Sequence, residues 1–397
     1  MATPNAQLPA RDGNDHLARV AAVAPALREA LSTIDAEREL PASVLDALHA
    51  KRLFRLSLTK ELSGDELAPY QLAEVTEAVA AIDASTAWCL GQGFGCAMSA
   101  AFLAEDAASQ VFGSRDAVLA WGAGVQGTAT VTDGGFQVSG TWRFASGSKH
   151  ATWLGAHCKV VHADGSPVLD AVGRAKNRTA LIPRGHAQMA DDWHVLGLRG
   201  TRSEGYTFSE EFVHEALTLD REDLSTCRSC SPLYAFPTTN VYATVFSGVA
   251  LGVARGALDD LLALATHKRQ RGARSSMRDS AVFQTRLAEL EGMWSSAKAF
   301  QSTVARQTYE DVAGGVSLSL EMRARIRLST TWAINQARDV VGEVYRLAGS
   351  TAIFEAEPFE RRFRDINAVS QQVQGRHTNF ETVGRYMLGH DADTLFM

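Results

Sequence analysis

The hydrophobic pattern of this chain changes period twice along its length, and the order of those changes limits what it can fold into. From about 16 to 112 the residues are rich in Ala and Leu at helical spacing, as in Leu45, Leu48 and Leu53 after Pro41 at a first turn. From about 117 to 220 the character shifts to Val, Thr, Phe and Gly. There Thr128-Ala-Thr-Val-Thr132 and Phe136-Gln-Val-Ser139 flank Asp133-Gly-Gly135, which is a hairpin signature. After a polar stretch at 224–237, amphipathic patterns return at about 238–267, 280–312, 320–350 and 370–389. Four long helices in succession predict a bundle. Helices, then strands, then helices is not the alternation of a βαβ protein, and no internal repeat is visible. The expected domains are a flexible N-terminus at 1–15, a helical domain at 16–112, a β domain built from hairpins at 113–230 and a helical bundle at 231–397.

Composition narrows the partners. The 397 residues carry a net charge of −6, with 46% hydrophobic and 21% charged residues, as in soluble globular proteins. Without a basic run, neither nucleic acid nor an anionic membrane surface is an expected partner, which leaves a small organic molecule. The first fifteen residues lack the apolar core of a signal peptide, and no apolar run reaches the length of a membrane span, so a cytoplasmic protein is expected.

Five cysteines are too few and too scattered for a disulfide framework. Cys227-Arg-Ser-Cys230 could be half of a zinc site or a redox pair in a binding or scaffold protein, but no second pair completes four ligands. Free loop cysteines are expected. His150, His157 and His162 lack metal-site spacing, so no metal is expected.

Two segments stand out chemically, Gly140-Thr-Trp-Arg-Phe-Ala-Ser-Gly-Ser148 and Trp193-His-Val-Leu-Gly-Leu-Arg-Gly-Thr-Arg-Ser203. Both mix aromatics with small hydroxyl residues and glycines inside strand-like sequence, which suits a flat heteroaromatic ring laid against backbone. Gly122-Ala-Gly124-Val-Gln-Gly127 matches a dinucleotide-loop pattern, yet a hairpin rather than a helix follows it. A turn is expected there.

Taken with Gly134-Gly-Phe-Gln-Val-Ser-Gly-Thr-Trp-Arg-Phe-Ala-Ser-Gly147, Gly197-Leu-Arg-Gly-Thr-Arg-Ser203, Pro358-Phe-Glu-Arg-Arg-Phe-Arg-Asp365 and Asp83-Ala-Ser-Thr-Ala-Trp88, the three-part order resembles the acyl-CoA dehydrogenase fold. More narrowly, the chain resembles the flavin-dependent monooxygenases of that fold. These are oxygenase components of two-component systems, similar to p-hydroxyphenylacetate hydroxylase and dibenzothiophene monooxygenase. The resemblance implies an α+β protein with an N-terminal helical domain, a central β-barrel-like domain and a C-terminal four-helix bundle, assembled as a homotetramer. It implies a separate NAD(P)H-dependent flavin reductase delivering FADH2 or FMNH2 by diffusion, and reaction with O2 to a C4a-hydroperoxyflavin. One oxygen atom then passes to a small aromatic substrate, phenol- or indole-like.

The same resemblance assigns residues. Ser146, flanked by Trp142 and Phe144, matches the contact to flavin N5, where a small hydroxyl inside an apolar shell protects a reactive adduct. Arg199, Thr201 and Ser203 would supply donors near the flavin or its phosphate. His377 matches an active-site histidine able to carry a proton near neutrality. Trp88, Cys96 and Asn379 would line the substrate pocket. Phenol-hydroxylating relatives place a histidine where Cys96 stands, and a thiol replaces that base poorly. The Arg-x-x-Phe and Gln-x-x-Gly-Gly segments that grip FAD in the dehydrogenases are incomplete, which implies an exchangeable flavin with Arg271 and Arg274 as candidate phosphate contacts. The rival enzyme reading is an acyl-CoA dehydrogenase with tight FAD, which needs a carboxylate base. Only Glu381 keeps that alternative open.

Overall fold

The computed structural model describes residues 15–170, 172–221, 223–269, 272, 276–391 and 397. The expected flexible N-terminus therefore lies outside the described residues, apart from Asp15, which opens α1 (Asp15–Glu37). α2 (Ala42–Ala50), α3 (Pro69–Ala80), α4 (Ala84–Ala97) and α5 (Glu105–Phe112) follow. Pro69 opens α3, where its missing N–H is no loss. Asp83 caps α4, its carboxylate accepting the Thr86 N–H at 2.7 Å. Every residue of α4 is buried except Gln92.

The middle of the chain supplies β1 (Leu119–Trp121), β2 (Gly127–Thr132), β3 (Gly135–Trp142), β4 (Trp153–Val161), β5 (Asn177–Pro183), β6 (Gln188–Met189), β7 (Tyr206–His214) and β8 (Thr218–Leu219). They form one sheet in the order β6-β7-β3-β2-β4-β5-β8, with β1 paired to β4. The hairpin at Asp133-Gly134 is present, Thr132 pairing with Gly135 and Gly134 holding φ 71° as its tight turn demands. Not every connection is a hairpin, because β4 runs parallel to both β1 and β2. Residues 122–126 form the connection from β1 to β2, as the turn reading of the glycine pattern anticipates.

Trp142 sits at the centre of this sheet's core. Its indole is fully buried, stacks on Tyr206 at 5.5 Å and donates to the His157 carbonyl at 3.0 Å. The neighbouring glycines exist for it, since a Cβ on Gly127 would fall 2.2 Å from the Trp142 ring. The expectation that Trp142 contacts a cofactor is thus corrected: its ring is enclosed by the core.

α6 (Thr238–His267), α7 (Ala281–Ala313) and α8 (Leu320–Ala348) match the first three expected bundle helices. In place of the fourth stand α9 (Pro358–Ser370) and α10 (Thr378–Met387). Side chains from α8 occupy carbonyls that a continuous helix would use. Thr331 donates to Gln374 O at 2.9 Å, and Asn335 donates to Gly375 O at 3.0 Å.

One stretch in α6 meets the length and hydropathy of a membrane span, contrary to the expectation that no run does, and 89% of it is buried among other helices. α3 crosses α6 at close range because Gly248 and Gly252 face it. A Cβ on Gly252 would lie 2.2 Å from Glu77 O, and one on Gly248 would lie 2.5 Å from Ala73 O. At the same crossing Thr76 donates to Val245 O at 2.7 Å.

Gly252→Ala should therefore lower stability by about 1–3 kcal/mol through forced separation of α3 and α6. Denaturant unfolding measures this, and an unchanged midpoint would contradict the close-packing account.

Candidate active site

A turn after β3 and the segment 193–205 are laced together by backbone hydrogen bonds. Ala145 donates to Glu204 O at 3.3 Å and Gly147 donates to Thr201 O at 2.9 Å. Both partners hold residues in the left-handed region, Phe144 at φ 61°, Leu198 at 54° and Arg202 at 42°, which ordinary side chains adopt only when packing over-determines them. The lacing aligns four sequence-predicted residues into one hydrogen-bonded chain.

The direction of that chain follows from its end. Thr201 donates its hydroxyl to Leu198 O at 2.8 Å, so its oxygen must accept from Ser203 at 2.7 Å. Ser203 then accepts from Ser146 at 2.7 Å, and Ser146 accepts the Trp88 indole N–H at 2.9 Å. Every hydroxyl proton is committed, and the Ser146 oxygen keeps one lone pair unclaimed. Beside it lies an apolar platform: Phe144 is 65% exposed and Leu196 62%, with Trp193 packed edge-on to Phe144 at 6.4 Å. Beneath the turn, half-buried His150 meets the Cα side of Gly147, and desolvation of its ring pushes the imidazole pKa down to about 4.

A second group extends from Trp88. Its ring stacks on Phe246 at 4.0 Å, and Phe246 stacks on Tyr242 at 5.3 Å with the planes 3° apart. The aromatics, four residues apart on α6, seat against Gly91 and Gly95, four apart on α4. A Cβ on Gly95 would be 2.3 Å from the Tyr242 ring, and one on Gly91 would be 3.2 Å from Phe246. At the far end Cys96 Sγ lies 3.6 Å from the Tyr242 hydroxyl and 3.5 Å from the Gln92 amide nitrogen. Burial pushes the Cys96 thiol up to about 12, so it is neutral at physiological pH.

A third group anchors segment 193–205 from behind. Asp365 accepts the Leu198 N–H at 2.7 Å, and Arg364 donates to Leu196 O at 2.9 Å. Arg364 also binds Asp35 at 3.1 Å and Glu360 at 2.6 Å. Arg199 pairs with the same Asp35 at 3.3 Å and donates to Val195 O at 3.4 Å. The expected phosphate donor is therefore part of the anchoring network. Gly197 permits the approach, since a Cβ there would fall 2.2 Å from Arg364 O.

Of the predicted residues, the structure joins Ser146, Thr201, Ser203 and Trp88 directly, and continues through the aromatic stack to Cys96. Asn379 lies elsewhere. It is buried, donating to Thr331 Oγ1 at 3.1 Å and to Gln374 O at 3.1 Å, so it fixes the loop before α10 rather than lining the pocket. That loop carries His377, which is exposed and packs edge-on to Phe380 at 5.6 Å. Arg271 and Arg274 lie outside the described residues. Glu381 is exposed on α10, Cys227 is half-buried and Cys230 is exposed. Sequence reading missed Gln92, Tyr242 and Phe246. The matched four-residue spacing of Gly91/Gly95 and Tyr242/Phe246 was a usable signal, but only once α4 and α6 are known to be neighbours.

Comparison with known proteins gives a consistent picture. A family model described as "Acyl-CoA dehydrogenase, C-terminal domain" matches residues 244–375. An indole-3-acetate monooxygenase of Pseudomonas putida is 28% identical, covering 91% of this chain and 90% of that protein. The flavin-dependent monooxygenase oxygenase subunit HsaA of Rhodococcus jostii (strain RHA1) is also 28% identical, over 88% and 92%. Among solved structures, a 3-HSA hydroxylase from Rhodococcus sp. RHA1 superposes with a TM-score of 0.88 at 26% identity, covering 97% of this chain and all of that one.

The anchor generates a pH prediction. Burial raises the Asp365 pKa from 3.8 to about 7, so the folded chain holds this proton more tightly than the unfolded chain does. Its contribution to stability is full below pH about 4 and is lost as pH rises through about 7. Asp365→Asn retains an acceptor for Leu198 but no titration. Thermal midpoints across pH 4–7 should fall less steeply in the variant, and identical profiles would contradict the assignment.

Proposed function

We infer that this chain is the oxygenase component of a two-component flavin monooxygenase, taking reduced flavin from a separate reductase and hydroxylating a small aromatic substrate with O2. When bound, FADH2 or FMNH2 supplies the electrons that activate O2 for transfer of one oxygen atom. The observation that carries the reading is the directed chain ending at Ser146.

The residues present fit a reduced flavin in particular. That ring presents an N–H at N5, and the group the chain offers beside the apolar platform is an oxygen with a vacant lone pair. Because Trp88, Ser203 and Thr201 fix the hydroxyl protons, Ser146 is held as an acceptor and need not reorient when a donor arrives. An N–H so held is slow to leave, which protects reactive oxygen species from being shed as hydrogen peroxide. Phe144, Leu196 and Trp193 offer the flat ring an apolar surface. Trp88, Phe246 and Tyr242 present stacked aromatic rings to a substrate of similar chemistry.

His377 belongs to the same reading as the proton carrier for oxygen transfer, its loop held in place by Asn379, Thr331 and Asn335. On sequence alone, Arg271 and Arg274 are its phosphate contacts. Exposed Val282, Trp332, Ile353 and Phe354 on and beside the bundle helices suit the expected homotetramer. A cytoplasmic location follows from the need to share a pool of diffusing reduced flavin with the reductase.

Ser146→Ala should raise the share of reduced flavin that ends as hydrogen peroxide by about tenfold or more, corresponding to one lost charge-sensitive hydrogen bond. Thr201→Val should act in the same direction more weakly, since it releases the order of the chain without removing the acceptor. Peroxide and product are measured together with supplied FMNH2 or FADH2, and unchanged partition in Ser146→Ala would overturn the assignment. His377→Asn should slow product formation by ~10²-fold or more while leaving flavin affinity intact. Rapid-mixing product analysis and flavin titration separate the two effects.

A further inference from the structure

Three of the five cysteines, Cys89, Cys96 and Cys158, are buried, and burial raises each thiol above its ordinary pKa, so they stay protonated and shielded. Cys227 and Cys230 differ. They lie in the connection between β8 and α6, Cys227 half-buried and Cys230 exposed, and no step of the proposed reaction uses them.

The loop's own hydrogen bonds bring the pair together. The Arg228 N–H donates to Ala101 O at 2.7 Å, which pins the chain against the turn that follows α4. The Cys227 thiol folds forward onto Ser229 O at 3.6 Å. That carbonyl belongs to the peptide joining Ser229 to Cys230, so trans-peptide geometry puts the Cys227 sulfur within about 6.5 Å of Cys230 Cα. Closing a disulfide from there takes a movement of about 2 Å. Cys230 can make it, because neither its N–H nor its carbonyl is hydrogen-bonded among the described residues. Hydrogen bonding resumes at Ser231, whose N–H donates to Ser229 Oγ at 3.2 Å.

We propose that Cys227 and Cys230 are a reversible oxidation site that closes to an intrachain disulfide on meeting hydrogen peroxide. For the source of that peroxide the inference rests on the monooxygenase reading, in which reduced flavin that fails to transfer oxygen releases it. Cys230, as thiolate, attacks one peroxide oxygen and breaks the O–O bond, leaving a sulfenic acid on Cys230 and a hydroxide that takes up a proton. The Cys227 sulfur then attacks the Cys230 sulfur, and the expelled hydroxyl leaves as water with the Cys227 proton. Two thiols thus lose two electrons and two protons, and one peroxide becomes two waters. Cys227 suits the second step: desolvation raises its thiol pKa and makes it slow toward peroxide, while its sulfur is already turned toward its partner.

The test treats the purified full-length chain with equimolar hydrogen peroxide, measures its intact mass and counts iodoacetamide-reactive thiols after denaturation. Reactive thiols should fall from five to three and the unalkylated mass by about 2 Da, and dithiothreitol should restore both. Because Arg228 lies between the two cysteines, unreduced tryptic digestion should leave their peptides joined. Cys230→Ser should lose none of its remaining thiols at the same dose, and Cys227→Ser should stop at a sulfenic acid on Cys230 that dimedone traps. Oxygen gained on Cys230 while Cys227 still alkylates, a disulfide between two chains, or earlier oxidation of a buried cysteine would overturn the proposal. Ser146→Ala supplied with FMNH2 and O2 should close the bond faster than the native chain does, and catalase should prevent it. If added peroxide closes the bond and this turnover does not, the oxidation site stands and the monooxygenase reading fails as its source of peroxide.

Discussion

A buried carboxylate, Asp365, holds one backbone N–H, that of Leu198, and much of the candidate site hangs from the result. Leu198 adopts a left-handed conformation that costs on the order of 1–3 kcal/mol for a residue with a side chain. The conformation turns its carbonyl toward Thr201, which begins the ordered chain of hydroxyls that ends at Ser146. Arg364, Glu360, Asp35 and Arg199 surround the joint and fix α9 against α1 and the 193–205 segment. The helix that looks furthest from the chemistry is what sets the direction of the last hydrogen bond.

This arrangement explains why the architecture was legible in the sequence while several side-chain roles were not. The change from helical to strand-like to helical periodicity is a local property, and it located α6, α7, α8 and the β2–β3 hairpin. Ser146, Thr201 and Ser203 stand out in the sequence because small hydroxyl residues are conspicuous among strand-forming neighbours, and the structure joins their hydroxyls in one hydrogen-bonded chain. The packing of Trp142 and the ion pair of Arg199 could not be read there because their partners lie far off in sequence, Trp142 at Tyr206 and Arg199 at Asp35. The break between α9 and α10 depends on Thr331 and Asn335 of α8, which no window along residues 370–389 contains.

The aromatic stack between α4 and α6 shows the same dependence on distant partners in a different form. Gly91 and Gly95 read as weak points in a helix, since glycine is a poor helix former. In the folded chain they are sockets for Phe246 and Tyr242. Neither glycine pair nor aromatic pair means anything alone; each takes its role from the packing of α4 on α6.

α6 carries a further consequence for how the protein comes into being. A stretch apolar enough to sit in a lipid bilayer is here wrapped by α3 and α4, which precede it in the chain, and by α8 and α9, which follow it. During synthesis the earlier half of its wrapping is already made when α6 emerges, while the later half is still to come. The glycine-lined face toward α3 thus gives the nascent segment a dock before the bundle exists, and lowers its exposure to membranes and to other unfinished chains.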